Sequence, residues 1–285
     1  MGIAVFSDIH SNYVAFQKCL DMALKQGIET FIFLGDYLGE LAYPQRTMDI
    51  LYTLKQQYRC YFVRGNKEDY WICHEENPTW EWKKGTSSSG ALYYTYSNLM
   101  PEDMEFFKTM PICQTIHVDG MPSITICHGT PYNNNKAMLP EDEWTREMAR
   151  ECRGDLILCG HTHVRNVFTV GEKKVLNPGS VGAALHSGGK AQFAILHEKE
   201  GAWEPELVQV EYDREKVITE LRESGLMKDA PYWSVISSHL IRFGETSHAE
   251  VLKLAANICR METGTVNWRE IPEKYWKQAV SILPA

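Results

Sequence analysis

With 285 residues, 44% hydrophobic and 23% charged, the chain has the composition of a globular protein of one large domain or two small ones, which excludes a disordered chain. Its formal net charge is −8 and it holds no long basic run, so a nucleic-acid-binding surface is not expected; a small pocket for an anionic substrate stays open, because bound cations bring their own charge. The opening MGIAVFSDIH enters a strand at once and has only about five apolar residues, against the ~20 that span a bilayer, so the expectation is a soluble, cytoplasmic protein with no leader segment and no membrane partner.

In chain order, Ile3 to Phe6 reads as a buried strand. A helix follows from about Asn12 to Gln26, with Val14, Phe16, Leu20, Ala23 and Leu24 on its apolar face and Gly27 as its stop. Phe31 to Leu34 is a second strand, and a helix from near Pro44 turns Met48, Leu51 and Leu54 inward. Cys60 to Val63 is a third strand. This β-α-β-α-β order predicts parallel strands covered by helices. The stretch from His74 to Ser97 is less regular and predicts a loop and then a helix over SSSGALYYTYSNL. PEDMEFFKTM reads as a short helix with Pro101 in its first turn.

The pattern then changes. Two strands flank an Asp119-Gly120 turn, Leu156 to Cys159 is another buried strand, and hairpins are expected about Gly171 and near Gly201. This second set of strands reads as largely antiparallel. Two mixed sheets packed face to face, with helices outside, accommodate both halves. Three helical segments follow Asp213. The break near Tyr212 divides a domain of residues 1–212 from a helical extension of residues 213–285 packed on it. That tail is expected either to narrow the entrance to the site or to cover an edge or an oligomer contact. None of the eight cysteines forms a C-x-x-C pair, so they read as free thiols, buried at Cys60, Cys127 and Cys159.

The polar residues sit where the strands end. Asp8 and His10 follow the first strand, Asp36 the second and Asn66 the third; His128 follows a later strand, and His161 with His163 follows another. Ligands of such sheets gather beyond the carboxyl ends of strands. Alone, each residue has an ordinary reading as turn former, helix cap or core histidine. Together they deliver carboxylate, imidazole and amide donors to one edge. That set suits Mn²⁺, Fe²⁺ or Zn²⁺, and seven donors are too many for one catalytic ion with open positions but right for two.

The blocks DIH, GD, GN, HG and GHTH, in that order, resemble the calcineurin-like metallophosphoesterase superfamily. The trailing NPGSVG, Asn177 to Gly182, is similar to its compact bacterial and archaeal phosphodiesterase branch. The resemblance covers about residues 1–212. It implies a four-layer αββα sandwich, an α/β fold. It also implies that Asp8, His10 and His163 hold one divalent ion, that Asn66, His128 and His161 hold a second, and that Asp36 bridges them. The ions would be drawn from Mn²⁺, Fe²⁺ or Fe³⁺, Ni²⁺ and Zn²⁺. Two such ions ~3.5–4 Å apart activate a shared water, as bridging hydroxide, for in-line attack at phosphorus. Asn66 would steady the phosphoryl oxygens.

Lys67 stands where many members of the family carry a leaving-group histidine. It is expected either to stabilise the leaving oxygen, with its pKa pushed down by the two ions, or to be a solvated helix-start residue. Asn12 would orient substrate or cap the first helix. Tyr37 and Tyr132 would flank substrate or pack. The segment YWICHEENPTWEW either packs under a loop or walls a nucleoside pocket, and His74 and His186 receive no ligand role. The implied substrate is a phosphorylated small molecule or nucleotide. The reading spans a general phosphodiesterase or phosphatase, a dinucleoside polyphosphate hydrolase and, disfavoured by Lys67, a protein phosphatase. A non-enzymatic scaffold would require a decayed donor set, and all seven positions are filled.

Overall fold

The computed structural model describes residues 2–77 and 79–283. In the first half, β1 (Gly2–Phe6), β2 (Thr30–Phe33) and β3 (Arg59–Phe62) alternate with α1 (Tyr13–Lys25) and α2 (Pro44–Gln57), as the apolar spacing predicts. Three helices follow: α3 (Asn66–Glu76), α4 (Gly90–Ser97) and α5 (Pro101–Thr109). The next strands are β4 (Cys113–Ile116), β5 (Ile124–Cys127), β6 (Leu156–Leu158), β7 (Asn166–Val170) and β8 (Lys173–Asn177), with α6 (Glu143–Glu151) between β5 and β6. The long hairpin β9 (Ala191–Lys199) and β10 (Ala202–Val210) closes this part.

The strands form two five-stranded sheets, ordered β10-β9-β1-β2-β3 and β4-β5-β6-β8-β7. β1, β2 and β3 run parallel, with Phe31 opposite both Ala4 and Cys60, while β9 joins β1 antiparallel. The second sheet departs from the largely antiparallel expectation. Its centre, β5-β6-β8, is parallel, and only the edge strands β4 and β7 pair antiparallel. The crossover between β5 and β6 runs through α6, whose apolar signal is faint because it buries only Thr145 and Ala149.

Side chains of β1 alternate between two cores, as the period of two in a strand requires. Ile3 and Val5 point between the sheets, where they meet Ile32, Ile126, Leu158 and Leu176. Ala4 and Phe6 point outward to Phe16, Leu20, Met48 and Leu51 of α1 and α2. Because both faces of the strand are buried, it reads as an unbroken apolar run. The second sheet packs Ile157 and Val175 outward with Ala149 of α6. The result is the expected αββα order of layers.

The tail comprises α7 (Arg214–Glu223), α8 (Leu226–Asp229), α9 (Pro231–Phe243), α10 (His248–Thr263), a 3₁₀ turn (Trp268–Glu270) and α11 (Glu273–Val280). Val217, Ile218, Leu221 and Ile241 share one apolar cluster with Val14, Leu41 and Tyr94. The helices lean on the loop after β2 and on α4. No helix among the described residues is long and apolar enough to cross a membrane.

Candidate metal centre

The donors are carried on turns that leave the strands abruptly. Asp8, His10, Asp36, His161 and His163 all have left-handed backbone, with φ between +49° and +69°. Each such residue without glycine's freedom costs on the order of 1 kcal/mol. Hydrogen bonds between turns hold them: Asp8 N donates to Gly35 O at 3.1 Å, His10 N to Asp36 O at 3.1 Å and Gly182 N to Asp8 O at 2.9 Å. The turns after β2 and β3 touch so closely that glycine is required at both. A Cβ on Gly35 would lie 2.5 Å from Gly65 N, and one on Gly65 would lie 2.2 Å from Asp36 Oδ1.

Six of the seven donors fall into two trios. In the first, His163 Nε2 lies 3.3 Å from Asp8 Oδ1 and 3.0 Å from His10 Nε2, and His10 Nε2 lies 3.7 Å from Asp8 Oδ1. In the second, Asn66 Oδ1 lies 3.1 Å from His128 Nε2 and 2.9 Å from His161 Nδ1, and the two ring nitrogens are 3.3 Å apart. Asp36 stands between them. Its Oδ2 is 3.8 Å from His10 Nε2 and its Oδ1 is 3.5 Å from His128 Nε2. Asp8, His10, Asp36, Asn66 and His128 are buried, while His161 and His163 are half-buried.

The donor chemistry fits cations. His128 Nδ1 lies 2.7 Å from Leu34 O, and His163 Nδ1 lies 3.0 Å from Ala183 O. A carbonyl only accepts, so each Nδ1 carries the hydrogen and each Nε2 turns a lone pair into the centre. Asp8 Oδ2 accepts from Ser7 Oγ at 2.5 Å and from His161 N at 3.1 Å, whereas its buried Oδ1 has no donor. Acceptors therefore converge on acceptors, an arrangement that positive charge relieves. Protons compete for it. Burial opposes a charge on Asp8, but His163 and His128 outweigh it and hold the carboxyl well below its usual range. Burial likewise opposes charge on His163, and Asp8 outweighs it and raises that imidazole. Burial, and then His128, push His161 down to about 4.

A residue that the sequence pattern does not single out ties the turns together. Glu68 is fully buried in the first turn of α3, and its Oε2 accepts from Gly65 N and from Asp36 N, both at 2.9 Å. Its Oε1 accepts from Tyr37 N at 3.0 Å. The bond to Gly65 is half of a capping box, so its signal in the sequence is a glutamate three residues after the turn.

A family model described as the calcineurin-like phosphoesterase superfamily domain matches residues 1–201. The chain belongs to that superfamily. It is a metallophosphoesterase, a phosphoric ester hydrolase, and all seven donors lie within the matched residues. An uncharacterised protein of Methanocaldococcus jannaschii is 28% identical over 246 residues, which cover 81% of this chain and 94% of the relative. In fold, the chain is similar to a metallophosphoesterase from Sphaerobacter thermophilus, with a TM-score of 0.66 and 22% identity over 83% of this chain and 100% of that one. It is also similar to a hypothetical protein from Pyrococcus horikoshii, with a TM-score of 0.70 and 20% identity over 86% and 99% of the two chains.

Around the donors of this metallophosphoesterase, other expected residues take different places. Lys67 N donates to Asp36 Oδ1 at 2.9 Å, and its ammonium pairs with the buried Glu40. Burial opposes its charge, but Glu40 and then Asp36 outweigh it and raise the pKa. The carboxylate partner, Glu40, lies far off in sequence, and its pull acts against the downward push expected of two bound ions. The side chain is only 15% exposed, so Lys67 is not a solvated surface residue.

Asn12 does not offer itself to a substrate. Its Oδ1 accepts from Ala15 N at 3.1 Å and caps α1, and its Nδ2 donates to Gly182 O at 3.1 Å. Tyr37 is also corrected: it is fully buried, its hydroxyl donates to Val63 O at 2.7 Å, and its ring stacks beside Phe107. Tyr132 is exposed. His74 stacks on Trp82 with 3.8 Å between centroids, and His186 donates its backbone N–H to Gly244 O.

Proposed function

We propose that this phosphoesterase works with two divalent ions and hydrolyses phosphate mono- or diesters of a small molecule or nucleotide by in-line attack of water at phosphorus. The observation that supports this most is the placing of Asp36, which turns one oxygen to each trio. Asp8, His10 and His163 would hold one ion, and Asn66, His128 and His161 the other. When bound, such a pair lowers the pKa of water and neutralises charge developing on phosphoryl oxygens. Imidazole, carboxylate and amide donors accept Mn²⁺, Fe²⁺ or Fe³⁺, Ni²⁺ or Zn²⁺, and availability selects among them.

The chain's own groups do the rest. Leu34 O and Ala183 O fix two of the rings in the tautomer that presents a lone pair. Glu40 holds Lys67 as a fixed cation at the rim, where it faces charge on a leaving oxygen.

Chelator-stripped protein, reloaded with each ion in turn and tested on a panel of phosphate esters, tests the reading. Two ions per chain are expected at full activity, with hydrolysis lost on stripping. The melting temperature is expected to fall on stripping as well, because ions that bind only the folded chain stabilise it. Full turnover with one ion per chain would overturn the dinuclear reading.

A second expectation concerns Lys67. Lys67→Ala should slow esters with poor leaving groups about 10²-fold and activated aryl esters far less. Since Glu40 keeps the lysine charged, the wild-type pH profile should carry no limb that disappears in this variant. An equal, small loss on both ester types would place Lys67 outside the reaction.

A further inference from the structure

A cavity of about 440 Å³ lies against the metal centre, and Gly39, Glu40 and Lys67 form the shared wall. The contact is close. A Cβ built on Gly39 would sit 3.6 Å from His10 Nδ1 and 3.8 Å from Lys67 Cδ. The volume falls within the roughly 300–1,000 Å³ of small-molecule pockets.

The other walls are aromatic. Trp80 and Trp82 come from the stretch after α3, Trp233 from α9 and Trp268 from the 3₁₀ turn. Trp80 stands edge-on to Trp268, with 5.3 Å between centroids and 70° between planes, and edge-on to Trp82 at 6.3 Å and 89°. The Arg269 guanidinium lies 5.5 Å and 5.4 Å from the centroids of Trp80 and Trp268. Trp233 is locked in place by its indole N–H, which donates to Glu40. Trp71 and Trp82 also pack in the core below, so the segment that carries them both fills the interior and lines the cavity.

Tryptophan faces bordering open space are an unusual surface unless something flat covers them. Arg269 leaves the cavity one cation that is not paired with Glu40 and favours an electron-rich ligand face. Asn77 and Asn135 line the same space, and carboxamides both donate and accept, as the edge of a base requires. The charge of Glu40 is already matched by Lys67 and the Trp233 N–H.

We propose that this cavity receives the nucleobase of a nucleotide substrate. The proposal rests on the metal-centre reading for where the phosphate goes. It makes Trp80 and Trp268 specificity-determining residues and gives the C-terminal helices a share in substrate choice.

Adenosine and ribose, neither of them a phosphoester, are titrated into the full-length protein, both as purified and stripped of metal. Tryptophan fluorescence and calorimetry are read. Adenosine is expected to quench the emission and to bind about tenfold or more tighter than ribose, the scale of one base stacked on an aromatic ring. Trp268→Ala should weaken adenosine binding about tenfold; Trp268 is 52% exposed, so the fold does not depend on it. Trp80→Phe, which keeps a stacking face, should retain most of the affinity. Equal affinities for adenosine and ribose, or no effect of Trp268→Ala, would overturn the proposal.

Kinetics on the reloaded enzyme separate this proposal from the reading beneath it. Adenosine binding through the tryptophans with no ester hydrolysis would support the cavity assignment and refute the catalytic one. Hydrolysis of AMP and ribose 5-phosphate with equal kcat/KM would refute the cavity assignment alone.

Discussion

Asp36→Asn is expected to abolish hydrolysis and to leave the protein short of metal. Asparagine has nearly the same shape and tolerates the left-handed backbone found at this position, φ +53°. Its amide oxygen can still accept from Lys67 N, as the carboxylate does at 2.9 Å. What disappears is the negative charge between two cation positions. A unit pair about 4 Å apart contributes about 4 kcal/mol at an effective dielectric near 20, so the expected fall in turnover is about 10³-fold or more. Metal content by mass spectrometry and turnover on one ester are measured together. Two ions retained with near-normal turnover would show that Asp36 does not bridge.

Glu68→Ala should cost more stability than any change to an exposed residue. It leaves the N–H groups of Asp36, Tyr37 and Gly65 without their acceptor. Each buried, unpaired amide costs about 1–3 kcal/mol, and partial relaxation brings the sum to about 3–5 kcal/mol. In a chain of this length that lowers the melting temperature by about 10 °C. The loops carrying Asp36 and Asn66 lose their common anchor, so metal affinity should fall about 10–100-fold as well. Glu68→Gln offers one acceptor oxygen instead of two and should fall between. An alanine variant that melts with the wild type would show that the three amides find other partners.

The candidate donors stand out in the sequence because each follows a short apolar strand, and because five such runs end alike. The strands, β1 to β3 in one sheet and β5 and β6 in the other, bring their following turns together, which constrains where those side chains point. The side-chain direction of a neighbour carries no such constraint. Tyr37 follows Asp36 directly, yet its hydroxyl turns back to Val63 O. Asn12 sits near the donors, but the start of a helix claims its oxygen.

Glu68 reads as one more charge at a helix start, since nothing local shows that three amides will converge on it. The parallel centre of the second sheet is hidden for a related reason. Hairpins announce themselves through a turn, as at Asp119-Gly120, whereas β5, β6 and β8 pair across long connections. The partner of Lys67 is equally remote in its support: Glu40 is steadied by Trp233, 193 positions further on.

That last link bears on how such a chain diverges. The stretch that the family shares, residues 1–201, holds all seven candidate donors. The indoles of Trp233 and Trp268 that wall the neighbouring cavity come from beyond it. The proposed base cavity thus draws its walls from both parts, Trp80 and Trp82 from the shared stretch and Trp233 and Trp268 from beyond it. If that cavity seats the base, as proposed, exchange or drift in the distal part would alter which ester is cleaved while the reaction stays the same. Yet the distal part is not a passive accessory, because Trp233 also binds Glu40, the partner of Lys67 beside the candidate centre.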